Sequence, residues 1–482
     1  MHFIQPDKHT RRAFLRRSAQ LGLTGAALPM ALNLAAIGEA AAFNNSDYKA
    51  LVCVFLYGGN DYGNTVVTYD NASYDQYAAI RGGTGRAGGG IALAQAALAP
   101  TLLAPTSPLA DGRQYALHPS MTGLANLFNT QKAAVQLNVG PLVVPLTRTQ
   151  YNSANRVQYP LPPKLFSHND QQSIWQSSSP EGSTVGWGGN LGDLALSSNS
   201  NSLFTCISVA GNAVFLSGDS ALQYQVSTSG AIAIDGIKNS TIYSSTAVQS
   251  AFSALVKQDR GHALENAYNS VTKRAIGAES SITSGLAGAA MNTAFPTNNP
   301  LADQLKMVAR LIAARSTLGA NRQVFMVSLG GFDLHDNLIS NQLVLMQRVS
   351  EAMSAFYQAT VDLGVANKVT AFTASDFGRT LSSNGDGSDH GWGGHQLVVG
   401  GAVNGKAFYG KAPPVSVGNS ATDANDQWHV GQGRLLPSTS VDQYAATLAS
   451  WFGVSGTELA GVLPNLRNFG GADYPTNLGF ML

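Results

Sequence analysis

Asp333 and His335 are the pair of residues whose types and spacing point most directly to chemistry. They stand two positions apart in a polar loop, residues 330–337, that follows a predicted strand. Side chains two residues apart in an extended segment project to the same side. A carboxylate oxygen and an imidazole nitrogen placed together suit one divalent metal. The alternative is structural, with Asp333 as a helix cap and His335 at the surface.

Further residues of metal-ligand type lie between residues 376 and 395. Asp376 follows a predicted strand, and His390 and His395 precede the next one. Three of the seven histidines beyond residue 42 fall in these two regions, which favours a shared metal centre over chance placement. Arg379, close to Asp376, either contacts an anionic oxygen through two N–H groups or pairs with Asp376.

Two other polar clusters carry candidate residues. Ser167 and His168 open a short helical pattern, so Ser167 suits an N-cap. A serine at a helix N-terminus beside a metal also suits a nucleophile, because the dipole and the cation favour the alkoxide. Asp61 ends the glycine-rich stretch 58–61 after the first predicted strand, and taken alone this stretch is a turn.

A mainly parallel sheet would bring these clusters together. Residues 50–56 form a continuous apolar run, typical of a strand buried on both faces. Helix and strand patterns then alternate, which predicts an α/β fold with helices on both faces of the sheet. The further predicted strands are 323–329, 368–373 and 396–399, and the predicted helices lie within 302–318, 341–363 and 442–452. Ligands bind at the carboxyl ends of such strands, where most of the clusters lie.

The predicted domain organisation is one large domain with an insertion. About 440 residues follow the first 42, enough for one α/β domain with insertions or for two domains. The stretch from about 197 to 300 is rich in Ser, Asn, Ala and Gly and is helical only in parts such as 248–275. We therefore predict a single domain over 43–482, interrupted by an insertion or cap at about 197–300.

The N-terminus has the pattern of an export signal. Arg11 and Arg12 form a twin-arginine pair, followed by an apolar stretch and by the small residues Ala40 to Ala42. This order predicts a signal peptide over 1–42, cleaved before Phe43. The twin-arginine translocase is then a transient partner, and the mature protein is periplasmic or extracellular. Since that route carries folded proteins, the signal also fits a bound metal.

Composition excludes several functional classes. The first 42 residues hold five basic and two acidic residues, so the remainder of this nearly neutral chain is slightly acidic. No basic stripe favours nucleic acid, and no later stretch is long and apolar enough to span a membrane after cleavage. The only cysteines, Cys53 and Cys206, favour buried free thiols, with a bridge between them as the alternative. Without a cysteine cluster or dinucleotide fingerprint, a redox enzyme has little support.

In combination, these motifs resemble the exported domain-of-unknown-function family 1501 (DUF1501). The match covers nearly all of the chain after the signal, and the combination is specific although each piece alone is not. The motifs are the twin-arginine signal, Gly58-Gly-Asn-Asp61, Ser167-His168, Gly330-Gly-Phe-Asp-Leu-His335, Ser375-Asp-Phe-Gly-Arg-Thr380, Asp389-His-Gly-Trp-Gly-Gly-His395 and Gly433-Arg-Leu-Leu-Pro-Ser-Thr-Ser-Val-Asp-Gln-Tyr-Ala445.

That family is similar to the alkaline phosphatase and sulfatase superfamily. The resemblance implies an alkaline-phosphatase-like α/β/α sandwich with one or two divalent metals (Zn, Mn, Ca or Mg) at the strand ends, and hydrolysis of phosphate or sulfate esters. It makes Asp61 the carboxylate after the first strand and Asp333 with His335 the paired ligands. Asp376 matches the Asp of the superfamily's Asp-His-Gly step, and His390 or His395 matches its late histidine.

This chain departs from the superfamily pattern in two places. Phe377 stands where the Asp-His-Gly step has its histidine, which removes one ligand. The nucleophile is also open, with Ser167 in roughly the right order and Thr65 and Ser120 as rivals. His168, if it faces inward, either replaces the missing ligand or protonates a leaving group.

The favoured function is an exported metal-dependent hydrolase of a small-molecule or glycan ester. In that hypothesis Ser167 or water attacks the ester, while Arg379 or His168 steadies the anion. The alternative is a non-catalytic exported protein of the same fold that binds a glycan, an anion or a surface partner, because a fold does not fix a function.

Overall fold

A mixed sheet forms the centre of the computed structural model, which describes residues 47–82 and 90–482. The signal predicted over 1–42 lies outside the described residues. The strands are β1 (Lys49–Leu56), β2 (Val66–Thr68), β3 (Tyr115–Leu117), β4 (Ala133–Gly140), β5 (Cys206–Ser208), β6 (Gln223–Ser227), β7 (Gly230–Ala231), β8 (Arg322–Leu329), β9 (Val369–Ser375), β10 (Gly394–Gly400), β11 (Phe408–Tyr409) and β12 (Thr439–Ser440).

The strand order in the large sheet is β11-β4-β10-β9-β1-β8-β5-β6-β7, with β12 also paired to β4. β1 pairs in parallel with β8 and β9, so it occupies the middle of the sheet. β10 runs antiparallel to both β9 and β4. The predicted α/β fold with a mainly parallel sheet is confirmed, with β10 as the main antiparallel element.

Helices cover the sheet on both faces. They are α1 (Tyr62–Thr65), α2 (Asn71–Arg81), α3 (Gln95–Leu98), α4 (Thr122–Asn129), α5 (Arg148–Asn152), α6 (His168–Ser177), α7 (Trp187–Ala195), α8 (Asp235–Lys238), α9 (Thr246–Lys257), α10 (Ala263–Gly288), α11 (Pro300–Ala313), α12 (Leu338–Asp362), α13 (Val441–Phe452) and α14 (Leu459–Val462).

Alternate residues of β1 face two separate hydrophobic cores. Val52 and Val54 pack with α11 and α12 on one face, whereas Cys53 and Phe55 pack with α7 and α13 on the other. Because both faces of a strand in this position are covered, its sequence reads as an uninterrupted apolar run. The arrangement of helices, sheet and helices is an α/β/α sandwich.

The segment predicted as an insertion begins inside the sheet. β5 pairs in parallel with β8, and β6 and β7 extend the sheet beyond it, before α8 to α10 follow. The helical pattern over 248–275 is interrupted, since α9 ends at Lys257 and α10 begins at Ala263. His262 caps the second helix by accepting a hydrogen bond from the Leu264 amide, 3.2 Å away.

Cys53 and Cys206 are both buried and free, so the free-thiol prediction is confirmed. Burial raises the pKa of each thiol, which keeps them protonated. Within residues 47–82 and 90–482, no helix has the length and apolar character needed to cross a bilayer.

Candidate metal centre

Three neighbouring strands end at the same level and deliver polar loops to one edge of the sheet. Leu56, the last residue of β1, is in register with Leu329 at the end of β8 and Ser375 at the end of β9. The next residues of each chain segment therefore meet above the sheet edge. This confirms the expectation that strand-end loops converge, as they do in parallel sheets.

Asp333, in the loop after β8, lies at the centre of the cluster. Arg379 donates from Nη1 to Asp333 Oδ1 at 2.8 Å and to the Gly58 carbonyl at 3.1 Å. Gly58 has φ +117°, and a Cβ there would lie 2.4 Å from the Asp333 amide nitrogen. Only glycine fits this close approach. Burial raises the pKa of Asp333, but the bond and charge of Arg379 outweigh it and hold the pKa low.

His168 reaches the cluster from the first turn of α6. Its Nδ1 lies 2.6 Å from Asp376 Oδ2, and its Nε2 lies 3.4 Å from Asp333 Oδ2. The bond to Asp376 raises the pKa of His168 despite partial burial. Because a carboxylate accepts a hydrogen bond from Nδ1–H, the Nε2 lone pair faces Asp333 in the neutral ring.

His390 reaches the cluster from the loop before β10. Its Nδ1 donates to the Phe166 carbonyl at 2.8 Å, which leaves the Nε2 lone pair 3.2 Å from Asp333 Oδ1. Burial, with the positive charges of His168 and Arg379, lowers the pKa of His390. The ring is therefore neutral at neutral pH and available as a ligand.

His335 completes the ring of imidazoles. Its Nε2 is 3.1 Å from Asp333 Oδ1 and 3.0 Å from His390 Nε2, while its Nδ1 is 3.2 Å from Asp389 Oδ1. Burial raises the pKa of Asp389, but hydrogen bonds from Asn384 and His335, assisted by the charge of Arg434, lower it overall. When Nδ1 donates to Asp389, the Nε2 lone pair of His335 faces other acceptors.

The donor set fits a divalent cation. Ligand atoms of His168, Asp333 and His390 all lie within 4.8 Å of one another. His168 Nε2 is buried and has no hydrogen-bond partner among the described residues. When the rings are neutral, the Nε2 atoms that face Asp333 carry lone pairs, and a bound cation would satisfy them. Imidazole nitrogens with one carboxylate are the ligands that zinc prefers.

Each histidine is held by a hydrogen bond on its far side. Asp376, Asp389 and the Phe166 carbonyl accept from the Nδ1 atoms, the arrangement that fixes tautomer and ring orientation at metal sites. Phe377 forms one wall, with its ring centroid 4.9 Å from that of His168 and 4.7 Å from that of His390. The Asp333 side chain is 43% exposed, so the cluster is open to solutes.

The structure brings together most of the predicted site residues but not all of them. Asp333, His335, His390 and His168 form the cluster, and Asp376 supports it through His168. His168 thus lies where a ligand can replace the one that Phe377 removes.

Asp61 and His395 lie away from the cluster. Both Asp61 oxygens contact the guanidinium of Arg81, which is fully buried against it. His395 Nδ1 accepts from the Asn138 amide at 3.0 Å inside the sheet, and burial lowers the pKa of His395 to about 3. Neither residue joins the metal ligands in this arrangement, because each is already satisfied elsewhere.

Arg379 is placed differently from both alternatives predicted for it. It pairs with Asp333 rather than with Asp376, and its side chain is fully buried. Its remaining N–H groups bind Gly58 and both oxygens of Ser388. Arg379 therefore positions Asp333, and each of its three nitrogens already donates to protein.

Ser167 is the N-cap residue of α6 but makes no side-chain capping bond, because its hydroxyl donates to Asp170 Oδ2 at 2.9 Å. The rival hydroxyls also have protein partners. Thr65 is buried and donates to Asp61 O at 2.7 Å, and Ser120 donates to Leu343 O at 3.1 Å.

The supporting residues were the ones that sequence reasoning missed. Gln172 donates to Asp376 Oδ2 at 2.8 Å, one helical turn after His168. An i, i+4 spacing puts the two side chains on one face of α6, a signal that the sequence did contain. Asp389 directly precedes His390, so its carboxylate also stood beside a candidate ligand in the sequence. The Phe166 carbonyl left no sequence signal, since any residue supplies one.

The family comparison identifies one match. Residues 48–432 match the family model described as "Protein of unknown function (DUF1501)". No curated protein sequence matches the chain.

Solved structures show only weak similarity. They include the lipoteichoic acid synthase LtaP from Listeria monocytogenes (9% identity, TM-score 0.33, covering 86% of this chain and 74% of that one). Ps i-CgsB in complex with k-i-k-neocarrahexaose has 8% identity, a TM-score of 0.34 and coverages of 89% and 78%. The PsFucS1 sulfatase from Pseudoalteromonas sp. has 10% identity, a TM-score of 0.33 and coverages of 92% and 74%. Similarities of this size carry no functional conclusion.

Proposed function

This chain belongs to the DUF1501 family, and we propose that it is an exported metal-dependent hydrolase of phosphate or sulfate esters. The observation that supports this most is the convergence of His168, His335 and His390 on the Asp333 carboxylate, each through Nε2. The ester class comes from the motif resemblance, and export comes from the twin-arginine sequence at residues 11 and 12.

The protein residues would hold the metal and keep it accessible. His168, His390 and Asp333 are the ligands, with His335 beside them. A divalent cation bound here supplies Lewis acidity, which polarises an ester oxygen and activates a nucleophile. Arg379 fixes one Asp333 oxygen, and the buried carboxylate of Asp376 keeps the His168 proton on Nδ1.

Ser167 is the proposed nucleophile. It immediately precedes the ligand His168, at the start of α6, where the helix dipole favours negative charge on its oxygen. Asp170 accepts a hydrogen bond from its hydroxyl at 2.9 Å in the resting arrangement, which is the geometry of a nucleophile with a neighbouring base. Attack by water is the alternative, and Ser167→Ala separates the two.

Elemental analysis tests the metal centre directly. The protein without its signal, purified without chelators, should carry about one divalent ion per chain, and Asp333→Ala/His390→Ala should carry none. Asp336→Asn, an exposed carboxylate in the same loop, is the matched control and should keep the ion. No ion in any of the folded proteins would refute the hydrolase.

Turnover is tested next on aryl phosphate and aryl sulfate esters. Wild-type protein should hydrolyse one class, and the double variant should not. Ser167→Ala should lose at least about 100-fold in kcat if Ser167 attacks. A protein that binds metal with full occupancy but turns over neither class would instead support the non-catalytic binding protein.

A further inference from the structure

A second arginine borders the metal centre and, among the described residues, has no hydrogen bond to the side chain of any proposed ligand. Arg434 donates from Nε to the His390 carbonyl at 2.8 Å, and its guanidinium carbon lies 5.4 Å from the Phe166 ring centroid. Both contacts place Arg434 beside the centre, because the Phe166 carbonyl accepts a hydrogen bond from His390 Nδ1. Arg434 lies within the closing Gly433-Arg-Leu-Leu motif, which the metal ligands leave unexplained.

The backbone around Arg434 is a tight, anchored turn. Arg434 N donates to the Gly431 carbonyl, and Gln432 and Gly433 both have positive φ, at 52° and 70°. Tyr62 Oη donates to the Gly433 carbonyl at 2.9 Å from the other side. The start of the Arg434 side chain is therefore fixed, and its position relative to His390 follows from the fold.

The two arginines at the centre differ in how many of their nitrogens donate to protein. Each of the three nitrogens of Arg379 donates to protein, and its side chain is fully buried. Arg434 is only half-buried, and its Nη1 and Nη2 have no hydrogen-bond partner among the described residues. A guanidinium held by Nε and by an aromatic face presents its two terminal nitrogens in a fixed fork.

An anionic ester that approaches this centre meets several carboxylates. Asp333, Asp376 and Asp389 all contact the histidines, and Arg379 is paired only with the first. The guanidinium of Arg434, a second positive charge with N–H groups that no described residue binds, offsets this repulsion. The two terminal nitrogens of an arginine match two oxygens of a tetrahedral oxyanion.

We propose that Arg434 binds the phosphate or sulfate group of the substrate through Nη1 and Nη2. This inference rests on the proposed hydrolase, whose substrate it defines as an ester with a tetrahedral oxyanion exposed beside His390. Arg434 is thus a substrate-binding residue, and Arg379 is a positioning residue.

The test is the binding of inorganic phosphate and of inorganic sulfate, measured by isothermal titration calorimetry with wild type, Arg434→Gln and Arg434→Lys. Arg434→Gln should weaken binding of the preferred anion by about 10- to 100-fold, the effect of losing hydrogen bonds to a charged group. Arg434→Lys keeps the charge without the fork and should fall between. Arg467→Gln removes an exposed arginine elsewhere and should bind as wild type.

Metal content and thermal unfolding separate binding from structure. Arg434→Gln should keep its metal and its Tm, because Arg434 is not a ligand. Loss of metal in Arg434→Gln would assign Arg434 to the support of His390 and overturn the inference. Unchanged anion affinity in both Arg434 variants would overturn it as well, and so would the absence of anion binding in wild type.

The outcomes also distinguish this inference from the proposed function. A substrate-binding role for Arg434 predicts a raised KM in Arg434→Gln. If wild type binds metal and hydrolyses esters but Arg434→Gln has unaltered kinetics, the role of Arg434 is contradicted and the proposed hydrolase is not. If wild type holds no metal, the hydrolase is refuted. Calorimetry on that metal-free protein still reports whether anion affinity depends on Arg434.

Discussion

Each side chain of the centre is oriented by a hydrogen bond to a neighbouring group. Asp333 is oriented by Arg379, His168 by Asp376, and His390 by a backbone carbonyl. These supports leave the Nε2 atoms facing inward, towards Asp333 and one another. At metal sites such outer contacts are worth about 10- to 100-fold in metal affinity or activity.

Asp61→Asn tests whether Asp61 is structural. The Asp61 and Arg81 side chains are buried at 1% and 0% exposure, and removing one charge leaves the other unpaired. Loss of one partner of such a pair costs about 3 to 5 kcal/mol of folding free energy. We expect urea unfolding to show this loss while metal content per folded chain stays unchanged.

Metal loss at unchanged stability would give Asp61 the ligand role that the family resemblance implied. Asp336→Asn is the control for both measurements, since its carboxylate is exposed and lies in the loop that carries Asp333.

Structural elements bring these side chains together by ending in register. β1, β8 and β9 stop at the same level, and α6 begins there, so residues distant in sequence meet. The turn after β1 limits the space around the Asp333 backbone, because the Gly58 backbone lies directly against it. Small backbone changes at strand ends should therefore alter metal binding more than changes in helix surfaces.

Gly58→Ala should disturb both stability and metal affinity. A Cβ at φ +117° would be strained and would lie 2.4 Å from the Asp333 amide nitrogen. We expect a loss of at least about 1 to 3 kcal/mol in urea unfolding, with weaker metal binding in a chelator competition. Gly330→Ala, in the same cluster of loops, adds a Cβ with nothing within 4 Å and should leave both unchanged. Equal stability and metal affinity of the two variants would show that the close approach of Gly58 to Asp333 does not limit either property.

The closing helix α13 contains a titratable group that should give the protein a measurable pH dependence. Burial raises the pKa of Asp442 to about 6, although Ser178 and Asn465 donate to it. Its ordinary value is 3.8, so between about pH 4 and 6 the folded state binds the proton and the unfolded state does not. The contribution of this group to the free energy of unfolding therefore falls as pH rises through that window.

Asp442→Asn should remove this slope. Measured by urea unfolding, the variant should gain up to about 3 kcal/mol relative to wild type from pH 4 to pH 6. Asp75→Asn, an exposed carboxylate on α2, is the matched control. A constant difference between Asp442→Asn and wild type across this range would show that Asp442 ionises normally in the folded state.

At the scale of the whole molecule, the centre connects segments that are far apart in the chain. His168 comes from α6, Asp333 from the loop after β8, and His390 from the loop before β10. The sandwich holds these segments through two cores, one on each face of β1. A bound metal would add a further connection among them, so metal binding and folding stability should be coupled.

Metal removal should therefore lower Tm. A ligand that binds only the folded state adds about 2.7 kcal/mol at a free concentration 100 times Kd. We expect chelator dialysis to lower the Tm of wild type in calorimetry and re-addition of metal to restore it. Asp333→Ala/His390→Ala should show no response, and Asp336→Asn should respond as wild type does. A wild-type Tm insensitive to chelator and to added metal would contradict this coupling.

The sequence by itself determined the α/β class, the strands around the centre and the loops that carry its candidate ligands. The apolar run at 50–56 and the alternation of helix and strand are local patterns, since burial on both faces of a strand is written in consecutive residues. Asp333, His335 and His390 could be predicted as candidate ligands because their residue types stand directly in the strand-end loops.

Only the tertiary structure decided which side chains face one another. Asp61 is paired by Arg81, twenty residues away, and His395 is turned into the sheet by the pairing of β10. The ligand position of His168 depends on where α6 packs against the end of β9, which the sequence of neither element contains. Side-chain direction is fixed by register and long-range packing, and these arise only when the segments come together.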